Sequence, residues 1–355
     1  MACPAGATQY MKKHKADTSV KVLAGVVVML AVVAGIVAMV RYDTTGAGGS
    51  GLGREFAYDL SELARIDPNR LLYAQAGPVI ATGLQDATGI CVAPDSTAYV
   101  TGDRQVVMFD AAGSRVGQFP VAGAARCIAV AQDGAIYLGM KDHVQVYDKT
   151  GKQLAAWPSA GENAVLTSLA VCKDEVFAAD AGNRVVLRYG RDGRVIGRIG
   201  EKDPARNIAG FVIPSPYFDL AVADDGLLRV VNPGRHRIEA YTVDGDLEFG
   251  WGEFSSKLEG FIGCCNPVNF AILPDGDFVT CEKGLVRVKV YDAEGRFAGA
   301  VAGPEQLVEG GVSRVFTLPA GSRSGAFDVA VDPTGRVYVL DTLKNVIRIF
   351  VRKTP

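Results

Sequence analysis

A short apolar strand followed by a turn rich in Asp, Pro or Gly recurs six times, and this recurrence limits the possible folds more than any other feature. GICVAPD from Gly89, CIAVAQDG from Cys127, SLAVCKDE from Ser168, DLAVADDG from Asp219, NFAILPDG from Asn269 and DVAVDPTG from Asp328 align on one another. A second strand follows each, as in AYVTG, AIYLGM, VFAAD, LRVVN, FVTCE and VYVLD. A third follows, as in VVMFDAAG and VKVYDAEG, and a fourth in most units, as in SRVGQF and RFAGAVAG. A period of about 40 to 60 residues marks one recurring supersecondary unit. Four short antiparallel strands per unit predict a propeller blade. The fold expected over residues 71–355 is therefore an all-β, six-bladed β-propeller. The sixth unit lacks a fourth strand after IRIFV, and Leu71 to Ala81 precedes the first unit without one of its own. That segment is expected to complete the sixth blade and leave no long unpaired edge.

Upstream, Val22 to Val40 carries no charge, with Lys12, Lys13, Lys15 and Lys21 before it. Nineteen apolar residues are about enough to span a bilayer core, and the basic flank places the N-terminus in the cytoplasm. The expected organisation is a cytoplasmic segment 1–21, a transmembrane signal-anchor helix 22–40, a stalk with a short juxtamembrane helix 41–70, and the propeller outside the membrane. It would be periplasmic in a Gram-negative cell. In the stalk, Asp59 is the expected helix cap and Asp67-Pro68 the stop.

Charge excludes one partner class. With 37 basic and 39 acidic residues and a net charge of −2, the chain shows no basic footprint for nucleic acid. Three histidines leave little material for a His-rich zinc site.

Asp180-Ala-Gly-Asn183-Arg-Val-Val-Leu-Arg-Tyr189 and Asp341-Thr-Leu-Lys-Asn345-Val-Ile-Arg-Ile-Phe350 follow a D-x-x-N pattern, and Asn232-Pro-Gly-Arg-His-Arg-Ile238 follows it loosely. Over about residues 71–352 the chain thus resembles the NHL-repeat β-propellers. Gly102, Met140 and Glu282 stand where that family has Asp. The resemblance implies the fold, while function has to be argued from a site.

In a propeller blade the first strand starts near the channel at one rim, here the top. The residues at that position read Gly89, Cys127, Ser168, Asp219, Asn269 and Asp328. Asp219, Asn269 and Asp328 come from consecutive blades and are oxygen donors of the kind calcium or magnesium takes. The set is similar to the metal site of gluconolactonase-like propellers. A second reading is that these side chains bond backbone amides where the strands start. The stretch GFIGCCNPVNF joins the fourth and fifth blades on the same rim, as do Cys281 and Glu282. Cys264 and Cys265 are expected to be oxidised, bridged to each other or to Cys281; the alternatives are a thiolate site of Cys264, Cys265 and Cys281 for copper or zinc or for redox chemistry, and unpaired thiols. Cys91 and Cys172 read as small buried hydrophobes.

Cys127, His236 and Glu282 complete the candidate ligand-binding top face. Trp251 and Phe254 precede the cysteine pair, and Phe211, Tyr217 and Phe316 are candidate aromatic anchors in the long loops 203–216 and 304–324. The expected function is a membrane-anchored scaffold outside the cytoplasm that binds a protein or a small ligand, rather than an enzyme. The alternatives are a divalent-metal-dependent, lactonase-like hydrolase and an extracytoplasmic thiol or metal redox protein.

Overall fold

The computed structural model describes residues 21–37, 60–311 and 327–354. The chain divides into two compact units, Met1–Tyr58 and Asp59–Pro355. In the first unit, residues 21–37 are helical. Among the described residues no helix is long and apolar enough to cross a membrane. The expected span 22–40 is corrected accordingly; its last three residues lie outside the described ones. The expected membrane partner, single-pass topology and extracytoplasmic placement rested on that span and fall with it. The stalk 41–59, with its expected cap Asp59, and residues 312–326, with Phe316, also lie outside the described residues.

In the second unit a short helix, Leu60–Ala64, leads through a 3-10 turn at Pro68–Arg70 into six sheets. Blade 1 is β3 (Ala87–Val92) to β6 (Arg115–Pro120), and blade 2 is β7 (Cys127–Val130) to β10 (Gln153–Ala156). Blade 3 is β11 (Leu166–Cys172) to β14 (Val195–Ile199), and blade 4 is β15 (Leu220–Val222) to β18 (Leu247–Trp251). Blade 5 is β19 (Asn269–Ile272) to β22 (Phe297–Ala302). Blade 6 contains β23 (Phe327–Val331), β24 (Val337–Asp341) and β25 (Val346–Arg352). Its outer edge is covered by β1 (Tyr73–Gln75) and β2 (Ile80–Ala81). Tyr73 pairs with Arg352, Gln75 with Phe350, and Ile80 with Ile347. The segment upstream of the first unit thus closes the ring, and the all-β six-bladed architecture read from the repeats is the one observed.

The core lies between blades. Separate apolar clusters fill the six junctions, such as Phe177, Val186, Phe218 and Tyr241 between blades 3 and 4. Both faces of each sheet are covered, so second strands such as β16 (Leu228–Asn232) and β20 (Phe278–Glu282) are buried along their whole length. Turn glycines make the close approach possible. Gly295 and Gly193 have φ of +81° and +82°, and a Cβ there would lie 2.2 Å and 2.4 Å from the rings of Trp251 and Trp157. The D-x-x-N segments are also structural. Buried Asp180 accepts the backbone N–H of Val165 at 2.9 Å and of Gly182 at 3.1 Å, and the Asn183 amide at 2.6 Å.

Candidate functional site

The first strands of all six blades surround a cavity of about 1150 Å³ along the central axis. Asp219, Asn269 and Asp328 line it, together with Ser168, Cys127 and Cys91. Sequence reasoning did not single out Asp86 or Lys141, which line it too.

Each of the three oxygen-bearing residues reaches from its own blade to the next. Asp219 accepts the N–H of Leu220 at 2.9 Å through Oδ1, and of Phe270 in blade 5 at 2.8 Å through Oδ2. Asn269 donates through Nδ2 to the Phe327 carbonyl of blade 6 at 2.8 Å. Asp328 accepts the N–H of Val329 at 2.9 Å through Oδ1, and of Ile90 in blade 1 at 2.9 Å through Oδ2. Gly89 makes room for the last bond, since a Cβ there would sit 3.2 Å from the Cys127 backbone and 3.7 Å from Asp328 Oδ2. Thr88 and Thr167 make similar links to the carbonyls of Ala125 and Phe218, at 2.8 and 2.6 Å. The column at the strand entrances therefore latches blade to blade.

A carboxylate has about four acceptor positions; the backbone N–H groups occupy two on each Asp, and Asp219 has a further bond to Ser168. Enclosure pushes the Asp219 carboxyl up to about 6, against the pull of its bonds to Ser168, Phe270 and Leu220. It pushes Asp328 up to about 7, with the Asp219 charge adding to the effect. The thiols sense the same pair. Cys127 is pushed up by burial and then by Asp219 and Asp328, and Cys91 rises to about 12 through burial and Asp328.

By residue type Asp219, Asn269 and Asp328 suit a hard cation, but calcium takes about six to eight oxygens, so water would have to supply most of them. Among the described residues no group of three or more His, Cys, Asp or Glu is placed to hold a metal ion.

The other predicted residues are dispersed. Glu282 lies inside the fold and not at an open rim. It is fully buried and ion-paired with Arg287 at 2.5 Å and Lys289 at 3.4 Å. His236 donates through Nδ1 to the Asn266 carbonyl at 3.2 Å, and its ring packs on Phe254 at 5.1 Å. Phe211 is buried against Phe218 and Tyr241, and Trp251 against Phe278 and Tyr291. Tyr217 lines the cavity.

Cysteines at all six described positions are free, which corrects the expected disulfide. Cys264 and Cys265 lie with Sγ atoms 3.2 Å apart, well beyond the bond length of about 2.05 Å. Cys281 is buried in β20 among Val268, Val279 and Val288. Its thiol is pushed well up by burial and then by Asp328 and Asp219. The partners of Cys265 were missed in the sequence. Lys283 and Ser215 bond to it and lower its pKa against the effect of burial.

No protein-family model matches the chain, which corrects the NHL-repeat assignment while leaving the propeller intact. No curated protein matches it either. Solved structures do. A streptogramin B lyase is 12% identical, with a TM-score of 0.52 over 78% of this chain and 97% of that one. A catalytically inactive variant of virginiamycin B lyase from Staphylococcus aureus, with quinupristin, is 10% identical, with a TM-score of 0.52 over 78% and 99%. The WD40 β-propeller domain of Doa1 is 16% identical, with a TM-score of 0.51 over 81% and 88%. At such identities the likeness is one of fold. The expectation of a non-enzyme is corrected only this far: lyases and a WD40 domain share the fold, so the fold does not argue against catalysis.

Proposed function

We propose that the chain is a propeller enzyme that runs acid–base chemistry on a small polar molecule at the mouth of its central channel. The observation that carries this reading is that Asp219, Asn269 and Asp328, from three consecutive blades, line one cavity of about 1150 Å³. Two carboxyl groups whose surroundings separate their proton affinities are a general way to obtain an acid and a base in one site. Burial raises both carboxyls toward neutrality, Asp219 to about 6 and Asp328 to about 7, so one of the pair can hold a proton while the other accepts one. Asn269 has its Nδ2 engaged with Phe327, so its oxygen is the atom that would orient a donor group of the substrate. General acid–base groups of this kind contribute about 10²- to 10⁴-fold to rate.

The reaction class that fits is ring opening of a cyclic ester. A base removes a proton from carbon or water, and an acid protonates the departing oxygen. Elimination leaves the mass unchanged, whereas hydrolysis adds one water. The experiment is a panel of lactones and cyclic esters incubated with the purified protein and analysed by mass spectrometry, with metal content measured on the same sample. Ring opening that drops at least about 100-fold in both Asp219→Asn and Asp328→Asn, with the far-ultraviolet circular dichroism retained, supports the reading. Ring opening that is indifferent to both substitutions, or no turnover across the panel, counts against it. Loss of activity on chelation, restored by calcium or magnesium, would assign the same three residues to a cation instead.

A further inference from the structure

The cysteine pair is not among the residues that line the channel cavity, although Tyr217 belongs to that wall and also lies under Lys283. Cys264 is exposed, Cys265 is buried, and their sulfurs are 3.2 Å apart. The Lys283 ammonium lies beside Cys265, donates to Ser215 Oγ at 3.1 Å and sits 4.6 Å above the Tyr217 ring. That position is built. The Asn266 side chain donates to the carbonyls of Ile262 and Lys283 at 2.6 and 3.0 Å and accepts the Lys283 N–H at 3.0 Å. One residue thus clamps the cysteine loop to the turn after β20. A cation and a hydroxyl beside a buried thiol favour its thiolate, the nucleophilic form.

The distance between the sulfurs fits one class of partner without rearrangement. With bonds of about 2.3 Å, a tetrahedral zinc centre would hold two sulfurs about 3.8 Å apart. A separation of 3.2 Å implies an angle close to a right angle at the bound atom. Pyramidal trivalent arsenic offers such an angle and can be held by two sulfurs alone. Cys281, buried in β20, is not needed.

We propose that Cys264 and Cys265 form a dithiol site for trivalent arsenicals, in which the exposed Cys264 takes up the arsenical and Cys265, assisted by Lys283, closes the ring. With phenylarsine oxide as the probe, two As–S bonds form and the As=O bond breaks. The oxygen leaves as water. One of its protons comes from Cys264; with Cys265 as the thiolate, the other comes from the Lys283 ammonium, which then regains from solvent the proton that Cys265 released on ionising. Arsenic stays trivalent and no oxidant or reductant takes part.

The test is titration of the full chain with phenylarsine oxide, followed by intact mass and by competition with dithiols and monothiols. One equivalent is expected to bind with loss of water, to be released by 1,2-ethanedithiol and to resist an equal concentration of 2-mercaptoethanol. Cys264→Ser and Cys265→Ser should each weaken binding at least about 100-fold, as expected when a chelate becomes a single bond. Cys172→Ser, in blade 3, should bind as the parent does. Lys283→Met should slow capture about tenfold through a smaller thiolate fraction. Binding that survives either substitution in the pair, or that monothiol reverses as readily as dithiol, overturns the site. An unchanged capture rate in Lys283→Met overturns the role given to the lysine. These outcomes do not depend on ring-opening activity.

Discussion

Asp219 Oδ2 in blade 4 accepts the backbone N–H of Phe270 in blade 5 at 2.8 Å, so one carboxylate both faces the channel and holds two blades together. Asp219→Ala would leave the Phe270 N–H without its acceptor and the Leu220 N–H with only the longer contact to Ser168 Oγ at 3.4 Å. Leaving a buried donor unsatisfied costs about 1 to 3 kcal/mol. A loss on the order of 2 to 4 kcal/mol is expected in urea unfolding, with solvent entering through the channel offsetting part of it. A change below about 0.5 kcal/mol would show that the latch contributes nothing to the ring.

Ring closure has an equally local test. Tyr73, Ala74 and Gln75 pair with Arg352, Val351 and Phe350, and Tyr73 belongs to the apolar cluster between blades 5 and 6. A chain starting at residue 83 should expose the β25 edge and aggregate. One starting at residue 54 should remain soluble and cooperative in unfolding. Equal behaviour of the two in size-exclusion chromatography would contradict closure by these strands.

Lys289 is fully buried, donates to the carbonyls of Gly260 and Leu258 at 2.7 and 3.1 Å, and shares Glu282 with Arg287. Two bases against one acid leave an excess positive charge, and burial lowers the lysine to about 7 against the attraction of Glu282. Its ordinary value is 10.5. Between these limits the unfolded chain binds the extra proton, so stability should rise as pH climbs from about 7 to about 10.5. The contribution is complete above the unfolded value and lost as pH falls through the folded one. Lys289→Met should flatten that rise in denaturation curves, and a rise of the same size in the variant would remove Lys289 as its source.

The propeller was legible because each unit repeats the same strand and turn signals, and closure followed from a missing fourth strand. The channel column was legible for the same reason. Position in the repeat places Asp219, Asn269 and Asp328 together, and both the latch and the ligand readings could be stated from it. Burial was less visible. The alternation in Arg287-Val-Lys-Val-Tyr291 gives no sign that Arg287 and Lys289 are enclosed, because blade packing covers both faces of the strand. Glu282 was therefore placed at an open rim. The surroundings of Cys265 were hidden for another reason. Ser215 lies in a loop between blades 3 and 4, about fifty residues away in the chain, and no local pattern brings it to the cysteine.

The most direct test of the channel site is a carboxyl-carbon NMR titration of protein labelled with ¹³C-aspartate, kept in chelator and assigned with Asp219→Asn and Asp328→Asn. Two resonances should titrate near neutrality, Asp219 about 6 and Asp328 about 7. Because both are raised from 3.8, their contribution to stability should be present below about 4 and fade as pH rises through these values. Removing Asp219 should lower the Asp328 midpoint, since the Asp219 charge is one of its causes. Midpoints of both groups at the ordinary aspartate value near 4, unmoved by loss of the partner, would contradict an acid–base pair in the channel.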